Sequence, residues 1–198
     1  MTKPFAPSCE RNQSVILDVL KSIITDEDKH LLEIGSGTGQ HAVFMAPNFP
    51  HLQWQTADLE ENHAGINMWI DDAKLDNISA PIIYESGQSV FPDIDVDIVF
   101  TTNTLHIMSW QNVKVLIKQL GENLKKGAKI IIYGPFNYNR QFTSESNAKF
   151  DVWLKQQEPH RGIRNFEDIV QLMLAQSIHL KQDIEMPANN RILYFVKE

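Results

Sequence analysis

The chain predicts an α/β fold: a parallel sheet joined by right-handed helical crossovers. Three observations predict it. Short apolar runs alternate with amphipathic stretches along most of the 198 residues, the pattern of strand–helix–strand crossovers. The first such run, Leu31 to Ile34, breaks into Gly35-Ser36-Gly37-Thr38-Gly39. Glycines at every second place allow backbone angles closed to other residues and close approach of a ligand. The second run ends in Asp58, 19 residues after Gly39, which a doubly wound sheet places beside the first loop.

In chain order, residues 1–13 are polar and contain prolines, and read as an irregular arm. Ser14 to Ile24 has helical spacing of Val15, Ile16, Val19, Leu20, Ile23 and Ile24. His30 to Ile34 is the first strand, and Gln40 to Ala46 a helix that the Pro47–Pro50 region stops. Leu52 to Ala57 is the second strand. Glu60 to Asp76 is a helix with Ile66, Met68, Trp69 and Ile70 inward. Pro81 to Tyr84 is the third strand, followed by Glu85-Ser86. Asp97 to Thr101 is the fourth, buried by its Ile-Val-Phe run. Val113 to Lys125 is a helix stopped by Gly127, and Ala128 to Tyr133 the fifth strand. Residues 137–165 are an insertion or lid, with a helix from Thr143 to Gln156 that Thr143 or Ser144 caps. Phe166 to Ala175 is the last core helix. Ile178 to Met186 and Arg191 to Val196 form a closing hairpin.

Composition excludes several functions. The length suits one domain over residues 1–198, with a sizeable core. A net charge of −7 without a long basic run argues against a nucleic-acid partner. The single cysteine, Cys9, leaves no intrachain disulfide framework and no cysteine-rich metal site; no metal is expected. No window approaches transmembrane length and no apolar signal segment opens the chain, so no membrane partner is expected and the location is cytoplasmic.

The loop chemistry is decided by what it lacks. A P-loop needs Gly-Lys-Ser/Thr, and this loop ends Gly39-Gln40-His41. A dinucleotide fingerprint needs glycine at its sixth place, which is Gln40 here. An acid at the strand end, Glu33, suits ammonium or hydroxyl groups better than phosphate. Asp58 is placed to accept ribose hydroxyls, or else to cap the next helix. The fourth strand empties into Thr102-Asn103-Thr104-Leu105-His106, at the switch point where ligands sit. There His106 is a candidate general base, or a structural histidine at a helix start.

The pattern of Glu33, Gly35, Gly37 and Gly39 resembles motif I of class I S-adenosylmethionine-dependent methyltransferases. Further segments resemble the methyltransferase-like protein twenty-six family. They are Ser8-Cys9-Glu10-Arg11-Asn12, Leu32 to His41, Tyr133-Gly134-Pro135-Phe136, Thr143 to Asn147 with Phe150-Asp151, Gly162-Ile163-Arg164, and Met186 to Asn190. One departure is Thr56-Ala57-Asp58, where that family has Pro-Ser-Asp; the acid remains. The resemblance implies a Rossmann-like fold, with a seven-stranded, mostly parallel sheet of order 3-2-1-4-5-7-6 and helices on both faces, and S-adenosyl-L-methionine as cofactor. It implies Glu33, Gly35, Ser36, Gly37, Gly39, Asp58, Leu59, Glu85, Ser86 and Asn103 around that cofactor. It implies methyl transfer to a small molecule, or cofactor binding by a regulatory partner protein without transferase activity. For the substrate, the candidates are Arg11 and Asn12 in the arm, Tyr133, and Asn137, Tyr138, Arg140, Ser146, Asn147 and Arg164 in the insertion. Arg140 and Arg164 point to a carboxylate or phosphate on the acceptor.

Overall fold

The computed structural model describes residues 2–198. Its seven-stranded sheet contains β1 (His30–Ile34), β2 (Gln53–Asp58), β3 (Ile78–Ile83), β4 (Ile98–Thr102), β5 (Lys129–Gly134), β8 (Ile178–Met186) and β9 (Asn190–Lys197). The strand order is β3-β2-β1-β4-β5-β9-β8, with helices on both faces. Two short strands, β6 (Phe136–Asn137) and β7 (Arg164–Asn165), form a separate parallel pair. They shift the numbering of the closing hairpin, and the expected order otherwise holds.

The chain divides into two compact units. The first holds residues up to Glu85 together with Pro92–Thr101. Here β1 pairs in parallel with β2 and β4, and β2 with β3. Leu31 and Leu32 are wholly buried, as are Ile98 and Phe100, which explains the near-continuous apolar runs of strands covered on both faces. Phe100 packs edge-to-face on Trp54, ring centroids 5.8 Å apart. Pro81 sits in β3, an edge strand of the sheet, where a missing ladder donor is tolerated.

Helix α1 (Pro7–Ile23) starts seven residues before the expected Ser14. Pro7 occupies its first turn, where the absent N–H costs nothing. The irregular arm therefore shrinks to the residues before Pro7. Of these, Lys3 lies 3.7 Å over the Trp69 ring and pairs with Asp72. The Trp69 indole donates to the Pro4 carbonyl at 2.7 Å. Trp69 belongs to α3 (Glu60–Ala73), in which Ile66 is buried while Met68, Trp69 and Ile70 are half-buried. The strap over this helix accounts for its mixed face. Gly65 makes room for it: a Cβ there would stand 2.6 Å from Pro4 Cγ.

The second unit holds Ser86–Phe91 and Thr102–Glu198. Here β5 pairs antiparallel with β9, and β9 with β8. Helix α4 (Trp110–Asn123) begins at a Ser109 cap, three residues ahead of expectation. Helix α5 (Glu145–Gln157) is capped by Ser144, whose hydroxyl accepts from the Asn147 amide, as its sequence predicts. Helix α6 (Phe166–Leu174) is strongly amphipathic and packs on α4 and β8.

Candidate functional site

In the first unit, β1 ends at Ile34 and the chain turns through three left-handed glycines, Gly35, Gly37 and Gly39, at φ 74°, 60° and 87°. An L side chain is disfavoured at each. At Gly39 a Cβ would also approach the Ile66 backbone to 3.2 Å, whereas at Gly37 nothing lies within 4 Å. The loop hangs from β2: the amides of Gly35 and Ser36 donate to the Ala57 carbonyl, and the Ser36 hydroxyl accepts from the Ala57 amide. It runs into α2 (Gln40–Met45).

Asp58 closes the cradle. One carboxylate oxygen accepts from the Gly37 amide at 2.6 Å. The other accepts from the Leu59 amide and the Asn62 side chain, both at 2.7 Å. Asp58 thus ties the glycine loop to the residues at the start of α3, whose N-cap position is taken by Leu59. Leu59 is partly exposed at the start of α3. Glu85 follows the third strand, half-buried.

Glu33 is wholly buried. Its Oε2 accepts from the Trp54 indole at 3.1 Å, while Oε1 has no hydrogen-bond partner among the described residues. Burial pushes its pKa up to about 7. A buried carboxylate oxygen without a donor is costly, and this one stands two residues before the first loop glycine.

The sequence reading missed the groups that fasten this cradle. Gln40 Oε1 accepts from the Ala6 amide at 2.6 Å and from the Thr38 hydroxyl at 2.9 Å. His41 is held by Asn12 Oδ1 at 2.8 Å. Burial lowers the His41 pKa to about 4, so the ring is neutral and donates through Nε2. Asn12 is thus committed to the joint between α1 and α2, and Arg11 beside it is exposed. Cys9 lies near Glu33, which together with burial raises its thiol pKa.

The second unit gathers a different set. Asn103 adopts φ 57°, a conformation that asparagine tolerates better than most residues. Its amide donates to the buried Tyr133 at 2.8 Å. Gly134 faces both Asn103 and His106: a Cβ there would lie 3.9 Å from Asn103 Oδ1 and 3.7 Å from His106 Nδ1. His106 is buried and meets the Phe150 ring edge-to-face at 5.4 Å. Burial, then the Arg164 and Arg161 charges, lower its pKa to about 4. Phe150 stacks in turn on Trp153, centroids 5.8 Å apart. The Ser86 hydroxyl donates to the Asn112 carbonyl at 2.7 Å.

Most insertion residues picked from the sequence are engaged in structure. Tyr138 stacks on Phe166 at 4.8 Å and donates to Asp183 at 2.8 Å. Asn147 donates to Thr143 and to the Asn189 carbonyl, and Ser146 shares a contact with Ser144. Together they fasten the start of α5 to the β8–β9 turn. Arg140 is exposed, 3.8 Å from Asp168. Arg164 donates to the carbonyls of Leu105, Met108 and His160. Two buried polar atoms in this unit have no hydrogen-bond partner among the described residues: Asn137 Oδ1, as a candidate residue, and Nε of Arg161, which the sequence reading did not select.

Among the described residues no group of His, Cys, Asp or Glu is placed to hold a metal, and no helix is long and apolar enough to cross a membrane. A family model described as protein of unknown function, DUF938, matches residues 3–197. The chain belongs to the DUF938 family. This DUF938 chain is 25% identical over 170 residues to the O-methyltransferase aoiF of Aspergillus oryzae, a stretch covering 80% of the chain and 40% of that protein. A putative O-methyltransferase of Nostoc punctiforme superposes with a TM-score of 0.82 at 15% identity, covering 96% of the DUF938 chain and 57% of the other. Human N-acetylserotonin methyltransferase, solved with SAM, gives 0.76 at 14% identity, covering 96% and 52%. The DUF938 chain spans about half the length of these relatives or less. The superpositions establish the class I methyltransferase fold.

Proposed function

We propose that this DUF938 chain is an S-adenosylmethionine-dependent O-methyltransferase acting on a small molecule, and that it belongs with the methyltransferase-like protein twenty-six group within its family. One observation carries the cofactor assignment: Glu33 Oε1, buried and without a donor at the end of β1. The ammonium group of a methionine moiety supplies both the donor and the charge that this oxygen lacks. The rest of the cradle fits. Gly35, Gly37 and Gly39 leave the loop backbone bare, and Ser36 fixes it to β2. Asp58 offers its remaining acceptor capacity to ribose hydroxyls, beside Leu59. Glu85, Ser86 and Asn103 complete the proposed cofactor set. The O-methyltransferase names of the relatives support oxygen as the nucleophile. A net charge of −7 without a long basic run argues against a nucleic-acid partner, and we place the reaction in the cytoplasm.

The bound cofactor supplies a methyl group already activated on a sulfonium centre. The chain's own residues then have two tasks. Glu33 and Asp58 hold and orient. His106 takes the proton from the acceptor hydroxyl. Its ring is neutral at neutral pH, which leaves a lone pair free but makes the bare imidazole a weak base.

Calorimetry with S-adenosylhomocysteine tests the reading. Asp58→Asn keeps the side-chain shape and one acceptor, and should lose about tenfold or more in affinity. Binding of neither S-adenosylhomocysteine nor S-adenosylmethionine would overturn the proposal. Binding without transfer of a labelled methyl group to any hydroxylated acceptor would leave a cofactor-binding regulator instead.

A further inference from the structure

In the second unit one buried arginine nitrogen is left without an acceptor among the described residues. The chain from Pro159 to Arg164 folds back on the segment after β4. The Gly162 amide donates to the His106 carbonyl at 2.9 Å. Arg164 clamps the carbonyls of Leu105, Met108 and His160 and lies 5.8 Å from the Trp110 ring. Its Nε and one terminal nitrogen are spent in holding this turn. Asp151, the buried carboxylate nearby, is consumed too: it accepts from the Ile163 amide at 2.8 Å and pairs with Lys155. Gly162 permits that packing, since a Cβ there would stand 2.9 Å from Asp151 Oδ1.

Arg161, between these fixed points, is different. Its backbone amide is used, donating to the Glu158 carbonyl. Its side chain is half-buried, its Nε is fully buried, and among the described residues Nε meets no acceptor. Its charge is felt at the His106 ring. An orphaned, buried guanidinium N–H is expensive, and this chain carries 25 acidic residues that could have satisfied it. None does. The His106 ring meets Phe150, lies beside Gly134 and feels the charges of Arg164 and Arg161.

We propose that Arg161 anchors an anionic group, a carboxylate or phosphate, on the methyl acceptor, so that the substrate is a hydroxylated small anion rather than a neutral alcohol or phenol. This rests on the methyltransferase reading above and names its substrate class. A planar guanidinium fork matches either anion with two hydrogen bonds. The arrangement also helps the base. With Arg161 bare, its charge opposes protonation of His106. An anion docked on Arg161 cancels that charge and lets the imidazole accept the acceptor's proton more readily. Substrate binding would thereby raise the basicity of His106 at the moment it is needed.

The test uses matched probes, 3,4-dihydroxybenzoate and catechol, which differ by one carboxylate. Binding to the full chain is measured by calorimetry without cofactor and again with S-adenosylhomocysteine present. The carboxylate probe should bind roughly ten- to a hundredfold more tightly. Arg161→Gln should erase that preference and Arg161→Lys should keep part of it. Lys118→Gln, at the exposed pair with Glu122, should leave it intact. In wild type, NMR titration of the His106 ring should move to higher pH with 3,4-dihydroxybenzoate and stay put with catechol. Equal affinity for the two probes, no binding of either at millimolar concentration, or an undiminished preference in Arg161→Gln would each overturn the proposal. The two readings fail separately. Methyl transfer to catechol without a carboxylate preference overturns only this one, and a carboxylate preference in a chain that binds no S-adenosyl compound overturns only the other.

Discussion

Replacing Glu33 by glutamine should make the protein more stable and, at the same time, a weaker binder of cofactor. The carboxyl is wholly buried and half-satisfied, and burial raises its pKa from the ordinary 4.5 to about 7. The folded state therefore holds a proton that the unfolded state releases between those values. Stability falls as pH rises through this window, and the penalty is complete above the folded pKa. Its size at pH 8 is about 3 kcal/mol. Full burial means that solvent screening removes little of it. Glutamine keeps the shape and an acceptor for the Trp54 indole, and cannot ionise. Chemical denaturation of both proteins from pH 5 to pH 8 measures the difference directly. Near pH 5 the two should be close. By pH 8 the Glu33→Gln variant should lead by about 3 kcal/mol, on the order of 10 °C in Tm for a chain of this size. Calorimetry with S-adenosylmethionine should show lost affinity in the same variant, the usual exchange of stability for a binding group. A stability difference that does not change with pH, or a variant less stable at pH 8, would refute the account of Glu33.

Two other sites make sharp claims. Both His41 and His106 have folded pKa values lowered from 6.5 to about 4, so each contributes stability that is lost as pH falls through that window, by about 3 kcal/mol at most. His106→Asn should flatten its share of this acid loss and cut methyl transfer by roughly 10²–10⁴, with S-adenosylhomocysteine affinity unchanged; transfer at the wild-type rate would remove His106 from the chemistry. Gly39→Ala places a Cβ at φ 87° and 3.2 Å from the Ile66 backbone. It should cost about 1–3 kcal/mol in denaturant titrations, and an undestabilised variant would show that the loop relaxes freely.

Much of the architecture was legible because its signals are local. The apolar runs of β1 and β4, the glycines after Ile34, the Ser144 cap and the Pro187 turn each declare an element within a few residues. Asp58 was legible for the same reason, since a strand–helix–strand repeat sets its distance from the loop. The start of α1 was missed although Pro7 announced it, because polar composition was weighed above helix-start chemistry. The insertion was read as rich in hydrogen-bonding groups, and the structure gives several of the selected members intramolecular partners. Tyr138, Asn147 and Arg164 look like ligand-binding residues in a row of letters. In the fold they are occupied by Asp183, by Asn189 and by backbone carbonyls.

Residue types and their spacing thus determined the alternation of strands and helices, the glycine turn and the place of Asp58 beside it, while the family resemblance supplied the strand order. Only the tertiary structure decided which polar groups are left over. Satisfaction is a property of the whole contact set: a buried donor is free or spent according to partners that stand far away in sequence. That is why Glu33 could be named from its motif but not known to be half-bonded. It is also why Arg164 drew attention while Arg161, three positions earlier, was left holding the unpaired Nε–H.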